Sequence, residues 1–291
     1  MFFISAPNSG AMKTIFKAIL NGHMEDFVTE VSVLGGPIVD AAVDLYLKIC
    51  SELLPTPAKS HYVFNLRDLS KCMQGVLQAD AAYMRAPQGM LRLFYHECLR
   101  VFHDRLINVQ DKSYFYHLMR SVCERYFQTP ILEIPDDPII TSPPLLLFGD
   151  FISSAVPKEN RNYAEISDMQ KLMVVEYLDE YNSTARAEMH LVLFKDAIEH
   201  IVRTARVLRA ERGHCLMVGP GGSGRRSVAT LAGHINECKY VHPLTVLHMN
   251  EISHVGWTRF HKRNEEIIYA AGLEDSTRGR VLLQSDFSSA S

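Results

Sequence analysis

The sequence has 291 residues, 47% hydrophobic and 22% charged, which is the composition of an ordinary folded chain with room for one large or two small domains, each with its own core. Its formal net charge of -3 at pH 7 gives no pull toward nucleic acid or an anionic membrane, and the pair Arg225-Arg226 is too short to make a basic patch. No run reaches the ~18 consecutive apolar residues that span a bilayer, and the apolar opening from Met1 to Pro7 has neither the basic flank nor the length of a signal-peptide core.

The first half reads as helices. Met12, Ile15, Phe16, Ile19 and Leu20 fall on one face at helical spacing, and Ile38, Ala42, Leu45, Ile49 and Leu53 do so over a longer stretch that Pro55 and Pro57 then stop. Leu66, Leu69, Met73, Val76 and Leu77 mark a third helix. Leu91, Phe94, Tyr95, Cys98, Phe102 and Leu106 mark a fourth, and Phe115, Leu118, Met119, Val122 and Tyr126 a fifth. Over 129–144 the chain carries Pro130, Pro135, Pro138, Pro143 and Pro144 with the acidic pair Asp136-Asp137, a connector held extended. A short apolar segment from Leu145 to Asp150 and an amphipathic helix over 166–181 follow.

The remainder alternates. Phe194, Ile198, Ile201, Ala205 and Leu208 define a helix, Cys215-Leu216-Met217-Val218 a strand, and Val228, Leu231, Ala232 and Ile235 the apolar face of the next helix. A strand over 244–249, a helix over 258–271 and a strand at Val281-Leu282-Leu283 complete the pattern, which predicts a parallel α/β sheet. The fold class expected is α/β with a separate all-α part.

Between the strand and the helix stands Gly219-Pro220-Gly221-Gly222-Ser223-Gly224-Arg225-Arg226-Ser227, in the order of a phosphate-binding βα unit. Glycines suit such a loop because the backbone must curl to aim successive N–H groups at phosphate oxygens, and the helix N-terminus adds positive partial charge. The stretch departs from GxxxxGK[ST] twice: Arg225 stands at the lysine position, its planar head keeping the charge but not the compact shape, and Arg226 stands at the hydroxyl position, leaving Ser227 one residue late as a Mg²⁺ ligand. The run Val281 to Asp286 has the form of a Walker B strand, with Asp286 the second candidate Mg²⁺ ligand. Phe287 follows where a glutamate would orient the attacking water, so the site lacks a general base for hydrolysis.

These segments carry a resemblance. The run His61-Tyr62-Val63-Phe64-Asn65-Leu66-Arg67-Asp68-Leu69-Ser70, with the preceding stretch from Ser51 to Ser60, resembles the lid of the third AAA+ module of dynein heavy chains, the axonemal ones especially. Val101 to Leu106 is similar to the later part of that lid, Leu147 to Phe151 to the passage into the fourth module, and Leu191 to His200 to the segment leading into that module's ATP site, where the resemblance puts Val192 and Leu193 near the adenine. The fourth module's loop commonly reads Gly-Gly-Ser-Gly-Lys-Gln-Ser, so Ser227 keeps a family position while Arg225 and Arg226 do not. Arg67 matches the family's sensor II arginine; a surface or helix-capping arginine is the other reading.

The resemblance implies a helical AAA+ lid followed by a partial P-loop parallel α/β AAA+ large subdomain, divided as residues 1–128 (lid of the third module), 129–185 (connector and linking helix) and 186–291 (partial core of the fourth). The implied cofactors are ATP or ADP and Mg²⁺, with Gly219, Gly221, Gly222, Ser223, Gly224, Arg225, Arg226, Ser227, Val192 and Leu193 around the nucleotide and Ser227 and Asp286 at the metal. The implied partners are the neighbouring AAA+ modules, dynein intermediate and light chains and microtubules, in the cytoplasm, cytoskeleton and ciliary axoneme, with no nucleic acid or membrane partner. The third module's own phosphate loop would lie before Met1 and the stalk after Ser291, so the sequence is expected to be an excerpt of a longer chain, a truncated gene model or a decayed copy of a motor ATPase, one that binds nucleotide weakly or structurally at this site without hydrolysing it and does not walk alone. The rival expectation is a non-enzymatic helical scaffold with an empty loop.

Other residues read as structural. The six cysteines, Cys50, Cys72, Cys98, Cys123, Cys215 and Cys238, show no CxxC pair and read as free thiols. His254 and His261 flank Trp257 without an acidic partner at ligand spacing. Asp104 and Arg105 read as a surface or interhelical ion pair, and Glu265-Glu266 as a solvated helix face.

Overall fold

The computed structural model describes residues 7–127, 146–151, 161–166, 173–185, 188–210, 213–217, 222–238 and 280–283. It falls into two compact units, one of Met1–Phe148 with Asn162–Glu165 and one of Gly149–Arg161 with Ile166–Ser291.

The first unit is helical. Helix α1 (Ser9–His23) starts at Asn8, whose side chain accepts from the Ala11 N–H at 2.7 Å, a standard N-cap. It buries Met12, Phe16 and Leu20, spaced by four, and packs on α3 (Gly35–Glu52). Ile15 and Ile19, placed on the same stripe by their spacing, are 53% and 49% exposed; the face that meets α3 is narrower than the apolar stripe. A short α2 (Thr29–Ser32) lies between them. Helix α3 is buried along Ile38, Val39, Ala42, Leu45 and Ile49, each large side chain worth about 1.5–3 kcal/mol of transfer out of water. It ends before Pro55, as the prolines predict. Charges brace its flank: Lys17 Nζ lies 2.7 Å from Asp40, and Asp44 accepts from the Tyr126 hydroxyl at 2.5 Å.

Helix α4 (Leu66–Val76) opens with a capping box in which the Asn65 side chain accepts from the first turn and Asp68 accepts from the Asn65 N–H at 2.9 Å. Asp68 also pairs with Arg105 at 2.8 Å, tying α4 to the turn after α5 (Pro87–Val101). Asp104 sits 3.3 Å from Arg100, so this dipeptide makes ion pairs. Phe102 and Leu106, expected to continue the fourth helix, lie beyond its end around a 3₁₀ turn (His103–Arg105), yet both are buried. Helix α6 (Val109–Phe127) closes the core with Phe115, Leu118, Met119 and Val122. Two charged-type side chains lie fully inside: His96 and Glu97 on α5 are 0% exposed, with Glu97 accepting from the Tyr163 hydroxyl at 3.0 Å. Strand β1 (Phe148–Gly149) pairs with β2 (Ala164–Glu165).

In the second unit Ile166 is buried and non-helical; a π-helical turn (Met173–Leu178) runs into α7 (Asp179–Thr184). The helix expected over 166–181 therefore extends past its predicted end, and 167–172 lie outside the described residues. Helix α8 (Lys195–Arg209) precedes β3 (His214–Met217), which pairs in parallel with β4 (Arg280–Leu283), His214 opposite Arg280 and Met217 opposite Leu283. Helix α9 (Arg225–Ile235) packs on α8. The expected strand over 244–249, the helix over 258–271, the connector over 129–144, His254, His261, Trp257 and Glu265-Glu266 lie outside the described residues. All six cysteines are free; Cys72 and Cys98 Sγ atoms stand 3.6 Å apart in the first unit's core.

Candidate functional site

Strand β3 ends at Met217 and α9 begins at Arg225, with Gly222 to Gly224 leading into the helix. Gly222 and Gly224 both have φ of +76°, the left-handed region in which a side chain is strained. The predicted need for glycine is thus met at these two positions. Gly224 is the N-cap, with φ 76° and ψ 8°, and offers no side chain to the first turn. The N–H groups of Arg225, Arg226 and Ser227 have no earlier helical carbonyl to bond, whereas Val228 already donates to the Gly224 carbonyl at 2.9 Å. Among the described residues, a Cβ built on Gly222 or Gly224 meets nothing within 4 Å. Together with the helix dipole these donors favour an anion.

Of the expected nucleotide residues, Gly222, Ser223, Gly224, Arg225, Arg226 and Ser227 follow one another through this turn and the first three helical positions. Arg226 is exposed and Arg225 and Ser227 are half-buried. Val192, 86% exposed, and Leu193 lie in the non-helical run just before α8. Gly219, Gly221 and Asp286 lie outside the described residues. Because β4 runs parallel to β3, its C-terminal end reaches the same sheet edge as the end of β3, the edge at which ligands of open α/β sheets bind. Arg67, in the first turn of α4, is exposed.

The far end of α9 is anchored by residues that sequence reasoning missed. The Asn236 amide donates to the Ala232 and Ala205 carbonyls at 2.9 and 3.2 Å, joining α9 to α8. Arg161 donates to the Ile235 carbonyl at 3.0 Å and to Glu237 at 2.8 Å, placing a cation on the negative end of the helix dipole. Glu237 takes φ +56°, a position commonly given to glycine at a helix end. Arg209 at the end of α8 pairs with buried Asp150 at 2.7 Å. Tyr177, in the π-helical turn, stacks edge-on with Phe151; burial pushes its hydroxyl up to about 12, with Arg161 opposing. Nothing local in the sequence signals these links, since Arg161 and Ile235 are 74 residues apart.

Among the described residues no three His, Cys, Asp or Glu side chains come together in a way that could hold a metal ion, and no helix is long and apolar enough to cross a membrane.

Comparison with known proteins bears on both units. The family described as "AAA+ lid domain" matches residues 38–135, and that described as "P-loop containing dynein motor region D4" matches residues 189–286. Dynein axonemal heavy chain 6 of Homo sapiens is 44% identical over 277 residues, 94% of this chain and 6% of that protein. Dynein axonemal heavy chain 1 of Homo sapiens is 42% identical over 77% of this chain and 5% of its own length, and dynein axonemal heavy chain 10 of Homo sapiens 37% identical over 82% and 5%. The chain thus spans only 5–6% of the length of these relatives. With a helical unit that matches an AAA+ lid, and a strand, glycine turn and helix that match motor region D4, the chain belongs to the dynein heavy chains of the axonemal type.

Proposed function

We propose that this segment contributes a nucleotide-binding, non-hydrolysing site to the motor ring of an axonemal dynein heavy chain. Residues 1–128 serve as the lid of the third module, 129–185 as the connector and linking helix, and 186–291 as the start of the fourth module's core. ATP or ADP phosphates rest on the N–H groups between Gly219 and Ser227, with Val192 and Leu193 beside the base. Mg²⁺ is the metal the family implies. Of the residues expected to hold it, Ser227 sits at the third helical position of α9 and Asp286 lies outside the described residues.

The single observation that carries this reading is the pair of left-handed glycines, Gly222 and Gly224, turning the chain into the N-terminus of α9 beside a parallel sheet. Hydrolysis needs a group to orient the attacking water. Phe287 follows Asp286 in the sequence where the glutamate is expected, so nucleotide acts here by occupancy. Within a full-length motor, occupancy would bias the ring's shape and serve microtubule-based ciliary motility. The partners would be the neighbouring AAA+ modules of the same heavy chain, dynein intermediate and light chains, and microtubules, in the cytoplasm, cytoskeleton and ciliary axoneme.

Titration of the purified 291-residue chain with fluorescent ATP and ADP tests this. Saturable binding in the micromolar range, abolished by Gly224→Val, is expected; valine is strained at φ +76° and its side chain would enter the anion site. Absence of binding would leave the scaffold reading, in which the helical unit packs in the ring and the loop stays empty.

A further inference from the structure

Cys72 on α4 and Cys98 on α5 face each other inside the helical unit, where the two helices pack together. Their approach is tight at this level. Gly75, about one turn on from Cys72, has no room for a Cβ, which would stand 1.9 Å from the side chain of Glu97, the neighbour of Cys98. The Sγ atoms of Cys72 and Cys98 are 3.6 Å apart, and both residues are fully buried. A disulfide sets its sulfurs about 2.05 Å apart, so these two need to close by about 1.5 Å, a shift shared by two side chains that each turn about a single bond. Cys50 and Cys238 instead direct their thiols at the Phe64 and Asn236 carbonyl oxygens, each at 3.7 Å. Burial first, then the hydrogen bond with Cys72, pushes the Cys98 thiol well above its ordinary value, so the closed unit holds Cys98 as an unreactive thiol.

We propose that Cys72 and Cys98 form a reversible redox pair, which a peroxide converts to a disulfide that ties α4 to α5. In the first step the sulfur of one thiol attacks a peroxide oxygen; the O–O bond breaks, water leaves and a sulfenic acid remains. The second thiol then attacks the sulfenic sulfur, the S–O bond breaks, and the thiol proton leaves with the hydroxide as a second water. Two thiols thus give two electrons to one peroxide. A dithiol reductant reopens the bond by exchange. Because both sulfurs are buried, the first step waits on local opening of the helix pair. Reclosure returns the second sulfur to contact, which favours the disulfide over further oxidation. In a reducing compartment such a bond is transient and redox-sensing. The inference is independent of the nucleotide reading, whose loop belongs to the other unit.

The test incubates the folded 291-residue chain with millimolar hydrogen peroxide, blocks the remaining thiols with N-ethylmaleimide in denaturant, and maps unreduced peptides by mass spectrometry. A linked Cys72–Cys98 peptide pair that dithiothreitol separates is expected. The oxidised chain is also expected to unfold at a higher urea midpoint than the reduced one, since the link joins residues 26 apart and narrows the unfolded ensemble. Cys72→Ala and Cys98→Ala should each abolish the linked product and the gain in midpoint. Should these core variants fail to fold, the map of the unaltered chain still decides. Recovery of both cysteines as maleimide adducts, sulfinic acid at either without a link, or a link from either to Cys123 in place of the pair overturns the inference. So does a Cys72–Cys98 link that fails to raise the midpoint, because the bond would then form only by distorting the core.

Discussion

Gly75 lies on α4 against α5, and a Cβ added there would stand 1.9 Å from Glu97 Oε2, 2.2 Å from its Cδ and 2.5 Å from its Cγ. Contacts under 3.0 Å are not tolerated, so the carboxyl would have to retreat by 3.0 minus 1.9, or 1.1 Å. Glu97 has little freedom to do so: it is fully buried, with Oε1 held by the Tyr163 hydroxyl at 3.0 Å and by His96 Nδ1 at 3.1 Å. In Gly75→Ala two effects therefore oppose. Alanine gains about 1 kcal/mol of helix propensity over glycine. Overpacking costs about 1–3 kcal/mol, and a broken buried hydrogen bond about 1–3 more. The expected net is a loss of about 1–5 kcal/mol, read as a lower urea midpoint for the helical signal in far-UV circular dichroism. The same change made in a Glu97→Ala background meets no carboxyl, so it should raise stability there by about 1 kcal/mol. A stabilising Gly75→Ala in the unaltered chain, or an equal loss in both backgrounds, would refute the reasoning.

Gly213 gives a harsher case, because a Cβ there would meet the Val207 carbonyl oxygen at 1.8 Å and that of Ala210 at 2.9 Å. Backbone atoms cannot swing aside, so Gly213→Ala is expected to cost at least the upper end of the ~1–3 kcal/mol overpacking range and to speed amide exchange in α8 and β3. Alkaline titration tests the tyrosines. Burial first, then hydrogen bonding to Asp44, pushes Tyr126 up to about 12, and burial likewise raises Tyr46 to about 12 from its ordinary 10.0. The folded pKa values are raised, so this stabilisation is complete below pH 10 and lost as pH climbs from 10 toward 12. Tyrosinate absorbance is expected to rise late and together with loss of helical signal, and Tyr126→Phe should remove part of that late rise; a full, simple titration near pH 10 with helix intact would contradict it.

The helical half was legible where one helix packs along one neighbour. Met12, Phe16 and Leu20 repeat every four residues and are the side chains α1 buries, but the same periodicity enrolled Ile15 and Ile19. An apolar side chain reports that it can be buried, whereas the width of the partner's face decides whether it is. Phe102 and Leu106 show the converse: they continue an apolar pattern and are buried, yet the chain has left the α-helix for a 3₁₀ turn. Burial period and backbone conformation are separate quantities near a helix end. The capping box at Asn65 and Asp68 was present as a polar pair three apart and could have fixed the start of α4. Burial of His96 and Glu97 could not have been foreseen, because Tyr163, which satisfies Glu97, is 66 residues away and the cost of an unpaired buried carboxyl is hidden until that partner is known.

The site divides along the same line. Its N-terminal half was readable because positive φ is a steric property of single residues: only glycine adopts it freely, so Gly222 and Gly224 announce a tight turn, and strand-turn-helix order says what the turn faces. Its C-terminal half was silent because Arg161, Asn236 and Ala205 converge on the end of α9 only in the folded unit. The two halves are nevertheless one device. A helix presents its N–H groups to an anion at a fixed place only if it can neither slide nor roll, and α9 is held against both by Asn236 on the α8 backbone and by Arg161 on its last carbonyls. On the proposed reading the visible motif would supply the chemistry of anion binding, while the invisible contacts would supply the rigidity that keeps the first turn of α9 at a defined place.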